Sequence, residues 1–107
     1  MYYPIIDKLK ETVNSIKNDI IYQEFPTTQS WSSGTPGTRG AQSTLDIAKQ
    51  GYNMIGLSIS YISDSSVANV MAFMSNDVKH VYCNFYRADS SAHSDVQATV
   101  KVIYKKV

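Results

Sequence analysis

The stretch from Gly51 to Val107 is a close succession of short apolar runs with a period of two, and that pattern leaves room for little except a sheet. The last run is the clearest. Val96, Ala98, Val100, Val102 and Tyr104 alternate with Gln97, Thr99, Lys101, Ile103 and Lys105. Successive strand side chains point to opposite faces, so one apolar row turns inward and a mostly polar row outward. Ile103 breaks the polar row, a position suited to contact with a neighbouring chain. Ile55, Leu57, Ile59 and Tyr61 alternate in the same way with Gly56, Ser58 and Ser60. Between these runs, Val70 to Met74 and Val78 to Tyr86 flank Ser75-Asn76-Asp77, which reads as the turn of a hairpin. Asp89 to Ser94 reads as a polar loop before the last strand. Short connections with no helical period between them favour an antiparallel sandwich over a parallel α/β sheet.

The first twenty residues have a different period. Tyr2, Ile6, Leu9, Val13, Ile16 and Ile20 follow 4-3 spacing, with Ile6, Val13 and Ile20 at a and Tyr2, Leu9 and Ile16 at d. Pro4 suits a helix start, and Asp7 and Glu11 suit the dipole of its first turns. A β-branched seam of this kind leans towards trimers, although so short a seam also fits a helix packed on its own domain. Oligomer contacts are expected at Ile6, Leu9, Val13, Ile16 and Ile20. Ile20 to Phe25 reads as a possible short strand ended by Pro26. A Ser/Thr/Gly-rich loop or irregular edge follows, and then a strand over Ser43 to Ala48. The two Gly-X-Y triplets after Ser33 are too few for a collagen helix, and no P-loop ending accompanies them.

The chain is 107 residues long, enough for one small core plus an extension. Lysines and arginines are scattered and the formal net charge is +1, which gives no footprint for nucleic acid. The apolar runs are too short to span a bilayer. Asp7 and Glu11 fall where the apolar core of a signal peptide would be. Cys83 is the one cysteine and has no internal disulfide partner.

The parts needed for catalysis are few. His80 and Cys83 lie at an odd separation, hence on opposite faces of a strand, and only His93 remains to complete a zinc site. Asp64, Asp77, Asp89 and Asp95 are the carboxylates a glycosidase would draw on, but all four sit in apparent turns, where aspartate serves local hydrogen bonds. His93, Asp95 and the nearby serines lack the pattern of a triad. The expectation is no enzyme, no cofactor and no metal. Aromatic side chains among polar ones suit sugar or protein recognition, and the candidates for ligand binding are Trp31, Tyr61, Tyr82, Tyr86 and Arg87. Core packing is the competing reading for each, and for Trp31 the stronger one.

Residues 30–106 resemble the small β-sandwich head domains of phage and prophage tail-fibre, baseplate or receptor-binding proteins of Gram-positive hosts. The likeness is carried by Ser30-Trp31-Ser32-Ser33-Gly34-Thr35-Pro36-Gly37, by Gly51-Tyr52-Asn53-Met54-Ile55-Gly56, by the Phe73 to Ala88 hairpin and by the ending Ala98 to Lys106. The resemblance implies a virion setting, a trimer and host recognition. The long N-terminal part by which such proteins dock onto a tail has no counterpart before the seam, which implies a small stand-alone protein or a tip. The expected architecture is mainly β. It comprises a small antiparallel, jelly-roll-like sandwich over 23–107 and a helical stalk over 1–22 in a trimeric coiled coil. Expected partners are a second and third copy, other virion proteins and a host cell-surface glycan or protein, with no nucleic acid and no membrane insertion. The rival expectations are a purely structural cap or connector and a bacterial carbohydrate-binding module.

Overall fold

The computed structural model of the protein describes residues 19–107, and these form six strands: β1 (Ile20–Trp31), β2 (Arg39–Asp46), β3 (Tyr52–Ile62), β4 (Ala68–Met74), β5 (His80–Arg87) and β6 (His93–Lys106). They make two antiparallel sheets, ordered β1-β6-β3 and β2-β5-β4. Only the β4–β5 hairpin stays within one sheet; every other connection crosses to the opposite one.

The central strands carry the core. Val96, Ala98, Val100, Val102 and Tyr104 on β6 face Val81, Cys83 and Phe85 on β5, and all are buried. Fully burying a Val, Ile or Phe side chain contributes roughly 1.5–3 kcal/mol, so these facing rows supply much of the favourable free energy of folding. Ile47, just past β2, and Trp31, at the end of β1, close the core. The Tyr104 hydroxyl donates to the Ile47 carbonyl at 2.7 Å, a buried hydrogen bond from one sheet to the end of the other. On the β1–β2 side, Thr27 Oγ1 lies 2.5 Å from Ser43 Oγ, and Gln29 Nε2 donates to Ser43 Oγ at 2.8 Å. These bonds satisfy polar groups where two edge strands meet.

Several sequence expectations are corrected. The seam positions Ile6, Leu9, Val13 and Ile16 lie outside the described residues. Ile20, expected to end the helical seam, instead opens β1 opposite Lys105 and is 43% exposed. Ile20-Ile21-Tyr22 is β-branched and aromatic, and pairing along β6 overrides the 4-3 spacing there. The sandwich therefore takes in residues 20–22 as well. Pro26 does not end β1. The strand lies at the edge of its sheet, where a missing N–H breaks no ladder bond if it points to solvent.

Strand β3 alternates as expected only in pieces. The register slips between Met54 and Gly56 and again between Ile59 and Tyr61, so each bulge reverses the inward set. Met54, Leu57, Ile59 and Ile62 stand opposite the core residues of β6, while Ile55 and Tyr61 are each 53% exposed. Val78 is not a strand residue but sits in the hairpin turn at a φ of 61°, unusual for a β-branched residue.

Candidate functional site

The outward residues of β5 are His80, Tyr82, Asn84 and Tyr86, because Val81, Cys83 and Phe85 point into the core. Pairing on both sides sets them in a grid. Thr44, Tyr82 and Phe73 form one row, Gln42, Asn84 and Met71 the next, and Arg39, Tyr86 and Asn69 the third. Rows two residues apart on a strand are about 7 Å apart, so Tyr82 and Tyr86 stand about 14 Å apart along β5. The three rows carry one charge, Arg39, and that guanidinium donates to Gln42 Oε1 at 2.6 Å. Phe73 and Met71 are 41% and 50% exposed. At the Tyr82 end the face runs into a recess of about 360 Å³ formed with Met74, Ser75, Asn76 and Asp77.

Asn84 is the unusual member. It is 8% exposed, its Nδ2 donates to the Tyr86 hydroxyl at 3.3 Å, and its Oδ1 is buried with no hydrogen-bond partner. A buried acceptor left unmade costs about 1–3 kcal/mol. Turning the amide over would leave Nδ2 unpaired in place of Oδ1. Either way, the centre of this face holds an unmet hydrogen-bonding group, on the residue paired in register with Met71.

The five sequence candidates for ligand binding separate. Tyr82 and Tyr86 share the outer face of β2-β5-β4. Tyr61 lies on the outer face of the other sheet. Trp31 is buried, tilted against Phe85 and edge-on to His93, and Gly40 lies flat on its ring, where a Cβ would come within 2.7 Å of Cγ. Arg87 clamps the loop between β1 and β2: Nε donates to the Ser32 carbonyl, and Nη1 to Thr38 Oγ1 and the Arg39 carbonyl. Gly34 sits against that guanidinium. The remaining members of the grid were not legible as site residues, because their placement depends on strand pairing.

The acidic residues are tied into local structure. Asp64 accepts from the backbone N–H and hydroxyl of Ser66, Asp89 from the Ser91 N–H, and Asp77 from the Lys79 N–H and the Ser75 hydroxyl. The Ser66 hydroxyl and N–H at Asp64, the Ser75 hydroxyl and Lys79 N–H at Asp77, and His93 and the Ser91 N–H at Asp89 hold all three carboxyls below the ordinary carboxylate range. Asp95 departs from the turn expectation: it lies in β6 at a φ of 55°, next to the register shift opposite β1. His80 Nδ1 meets Asp77 Oδ2 at 3.0 Å, and His93 Nε2 meets Asp89. Ser75 and His80 side chains both engage Asp77, so they do not form the serine-to-histidine relay of a triad. Among the described residues no three His, Cys, Asp or Glu side chains converge as metal ligands, and no helix is long and apolar enough to cross a membrane.

A second concavity, of about 680 Å³, opens at the end of the sandwich beside Ile47, Lys49, Tyr52, Val78 and Tyr104. One of its two lysines, Lys49, rests on its own wall, with Nζ 5.6 Å from the Tyr52 ring centroid and 6.0 Å from that of Tyr104. The Tyr104 hydroxyl there is bonded to Ile47. The β2-β5-β4 face, with exposed Phe73 and Met71 beside two half-buried tyrosines and an unmet polar group, is the better candidate. Comparison with protein-family models, with curated proteins and with solved structures finds no match to this chain.

Proposed function

We propose that the protein is a non-catalytic recognition module, the tip or head of a phage or prophage tail protein, and that its outer β2-β5-β4 face takes a cell-surface glycan. The observation that carries this reading is the row Tyr82-Asn84-Tyr86, two aromatic rings flanking an amide whose acceptor lacks a partner. Aromatic faces stack on the apolar sides of sugar rings, and a sugar hydroxyl is the donor the amide lacks. A nearly neutral surface about 14 Å long suits a chain of sugars better than a single ion. The virion setting is drawn from the resemblance of the Gly51 to Gly56 and Ala98 to Lys106 stretches. It is consistent with a strand order of β1-β6-β3 and β2-β5-β4, which is that of a jelly roll lacking one strand from each sheet. Asp64, Asp77 and Asp89 are bound to turns or to His80 and His93, which supports a module without catalysis. The trimer expected from the heptad seam depends on residues outside the described part, so it is a separate question for solution mass.

The test is binding to an array of bacterial cell-wall glycans, followed by titration of the best binder. Tyr82→Ala and Tyr86→Ala are each expected to weaken binding about tenfold, equivalent to about 1.4 kcal/mol; Tyr86→Ala should also lower the thermal midpoint, because it removes the acceptor of the buried Asn84 Nδ2. Tyr61→Ala, on the opposite face, is expected to leave binding intact. Absence of saturable binding to any glycan, or loss of binding only in Tyr61→Ala, would overturn the assignment.

A further inference from the structure

Each three-stranded sheet has two edges, and an edge presents unpaired N–H and C=O groups that can pair with another strand. Three of the four edges carry the usual obstacles. β1 contains Glu24 and Pro26 and shifts register near its end. β2 bears Arg39 and Asp46 and a register shift after Arg39. β3 is bulged twice. β4, Ala68-Asn69-Val70-Met71-Ala72-Phe73-Met74, has no charge, no proline and an unbroken register along β5.

The open groups on β4 can be identified. The Ala88 N–H donates to the Val67 carbonyl at 3.1 Å, and the Ser75 N–H donates to the His80 carbonyl at 2.9 Å. Val67 and Ser75 thus direct backbone groups at β5 from either end of the strand. With no register shift, alternation makes Asn69, Met71 and Phe73 do the same. The backbone groups of Ala68, Val70, Ala72 and Met74 are left pointing away from the sheet, with no hydrogen-bond partner among the described residues.

We infer that β4 is a strand-addition edge and that its occupant is β4 of a second copy, paired antiparallel about a two-fold axis through Met71. Self-pairing demands a self-complementary strand, since each residue meets its mirror position in the partner. About Met71, Ala68 opposes Met74, Asn69 opposes Phe73, and Val70 opposes Ala72. The residues with open backbone groups thereby face one another, so both sets of donors and acceptors are met. No like charges come into opposition, because the strand has none. Met71 and Phe73, exposed on the outer face, become cross-strand contacts between copies. The product is a continuous six-stranded sheet that sets the two Tyr82-Asn84-Tyr86 rows side by side. The pairing does not depend on what that face binds, and it gives even-numbered assemblies, including pairs of trimers.

The test is disulfide trapping in the full chain. Met71 would meet its own copy as a non-hydrogen-bonded pair with Cα atoms about 4.5 Å apart, within the span of a disulfide. Met71→Cys should form a covalent dimer under mild oxidation, whereas Asn69→Cys, whose counterpart is Phe73, and Thr44→Cys, on the opposite edge, should not. Native Cys83 is fully buried and does not compete. Light scattering should give an even-numbered mass for the unmodified chain, and Met71→Lys should raise the dissociation constant at least tenfold by placing two cations opposite each other. Equal trapping at Asn69 and Met71, no trapping at Met71, or a mass insensitive to Met71→Lys would overturn the pairing. The last two results would direct attention to residues 1–18 or an extended segment of another protein as the occupant.

Discussion

Tyr104→Phe isolates one hydrogen bond in a side chain that is otherwise unchanged. Tyr104 is 1% exposed, and its hydroxyl donates at 2.7 Å to the carbonyl of Ile47, itself 1% exposed. The Ile47 N–H is held separately by the Lys79 carbonyl at 3.0 Å, so the residue is pinned from both sides. Removing the hydroxyl takes away a bond worth about 1 kcal/mol and leaves a buried acceptor unmet, so the expected loss is about 1–2 kcal/mol. In a domain of this size that lowers the thermal midpoint by about 5–15 °C. Urea unfolding should show a lower midpoint with an unchanged m-value, because the same surface is exposed on unfolding. Tyr22→Phe, at a residue 66% exposed, should stay within about 0.5 kcal/mol of the parent. A Tyr104→Phe variant as stable as the parent would refute the claim that this bond ties the two sheets together.

Gly40→Ala would bring a Cβ to 2.7 Å from Trp31 Cγ, so it should cost about 1–3 kcal/mol and alter the tryptophan near-ultraviolet dichroism. Acid should destabilise the fold in a defined window. The carboxyls of Asp77, Asp64 and Asp89 are held below their ordinary value of 3.8, so their contribution is present above about pH 4 and is lost as pH falls through the lower folded-state values. Asp77→Asn should therefore make the dependence of stability on pH shallower below pH 4, measured by urea titration; an unchanged slope would count against this. The Cys83 thiol is buried and pushed up to about 11 by desolvation, so its labelling by a disulfide reagent at pH 8 should be limited by the rate of unfolding.

What the sequence made legible depended on whether a strand is central or at an edge. β5 and β6 each have partners on both sides, and their inward rows appear as plain alternation. The hairpin between β4 and β5 was legible because Ser75, Asn76 and Asp77 are turn residues between apolar runs. Edge strands escaped for physical reasons. β1 continues through Pro26 to Trp31 because an edge tolerates a missing donor, and its inward Thr27 and Gln29 are satisfied by Ser43, a contact between residues distant in sequence. β3 misleads at Ile55 and Tyr61 because two bulges reverse its faces; Gly56 is a local signal for the first, and none marks the second. β2 begins at Arg39, earlier than its apolar pattern indicates, and Ile47 leaves the strand to plug the core. Tyr82 and Tyr86 were visible as outward aromatics, whereas Gln42, Asn69, Met71 and Phe73 join them only once the register is known.

The two outer faces differ in a way that bears on which one works as a surface. On β1-β6-β3, Glu24 stands opposite Lys101, and Lys101 Nζ sits 4.1 Å from the centroid of the Tyr22 ring, so the chain's own cation occupies that aromatic face. Among the described residues no cation–π contact engages Tyr82 or Tyr86. Both rings are half-buried beside an unmet amide, and the adjoining edge is the one without charge, proline or bulge. These features favour the same structural outcome. A flat aromatic surface encloses little of a ligand, and a dissociation constant near 1 mM, about −4 kcal/mol, is a reasonable scale for one face. Pairing through β4 would place two such faces in one rigid sheet. If a single polymer spans both, effective concentration can raise apparent affinity by 10²–10⁴ without any new contact. On the proposed binding and pairing, a weak face and an unprotected edge would act as parts of one device for holding a repetitive surface.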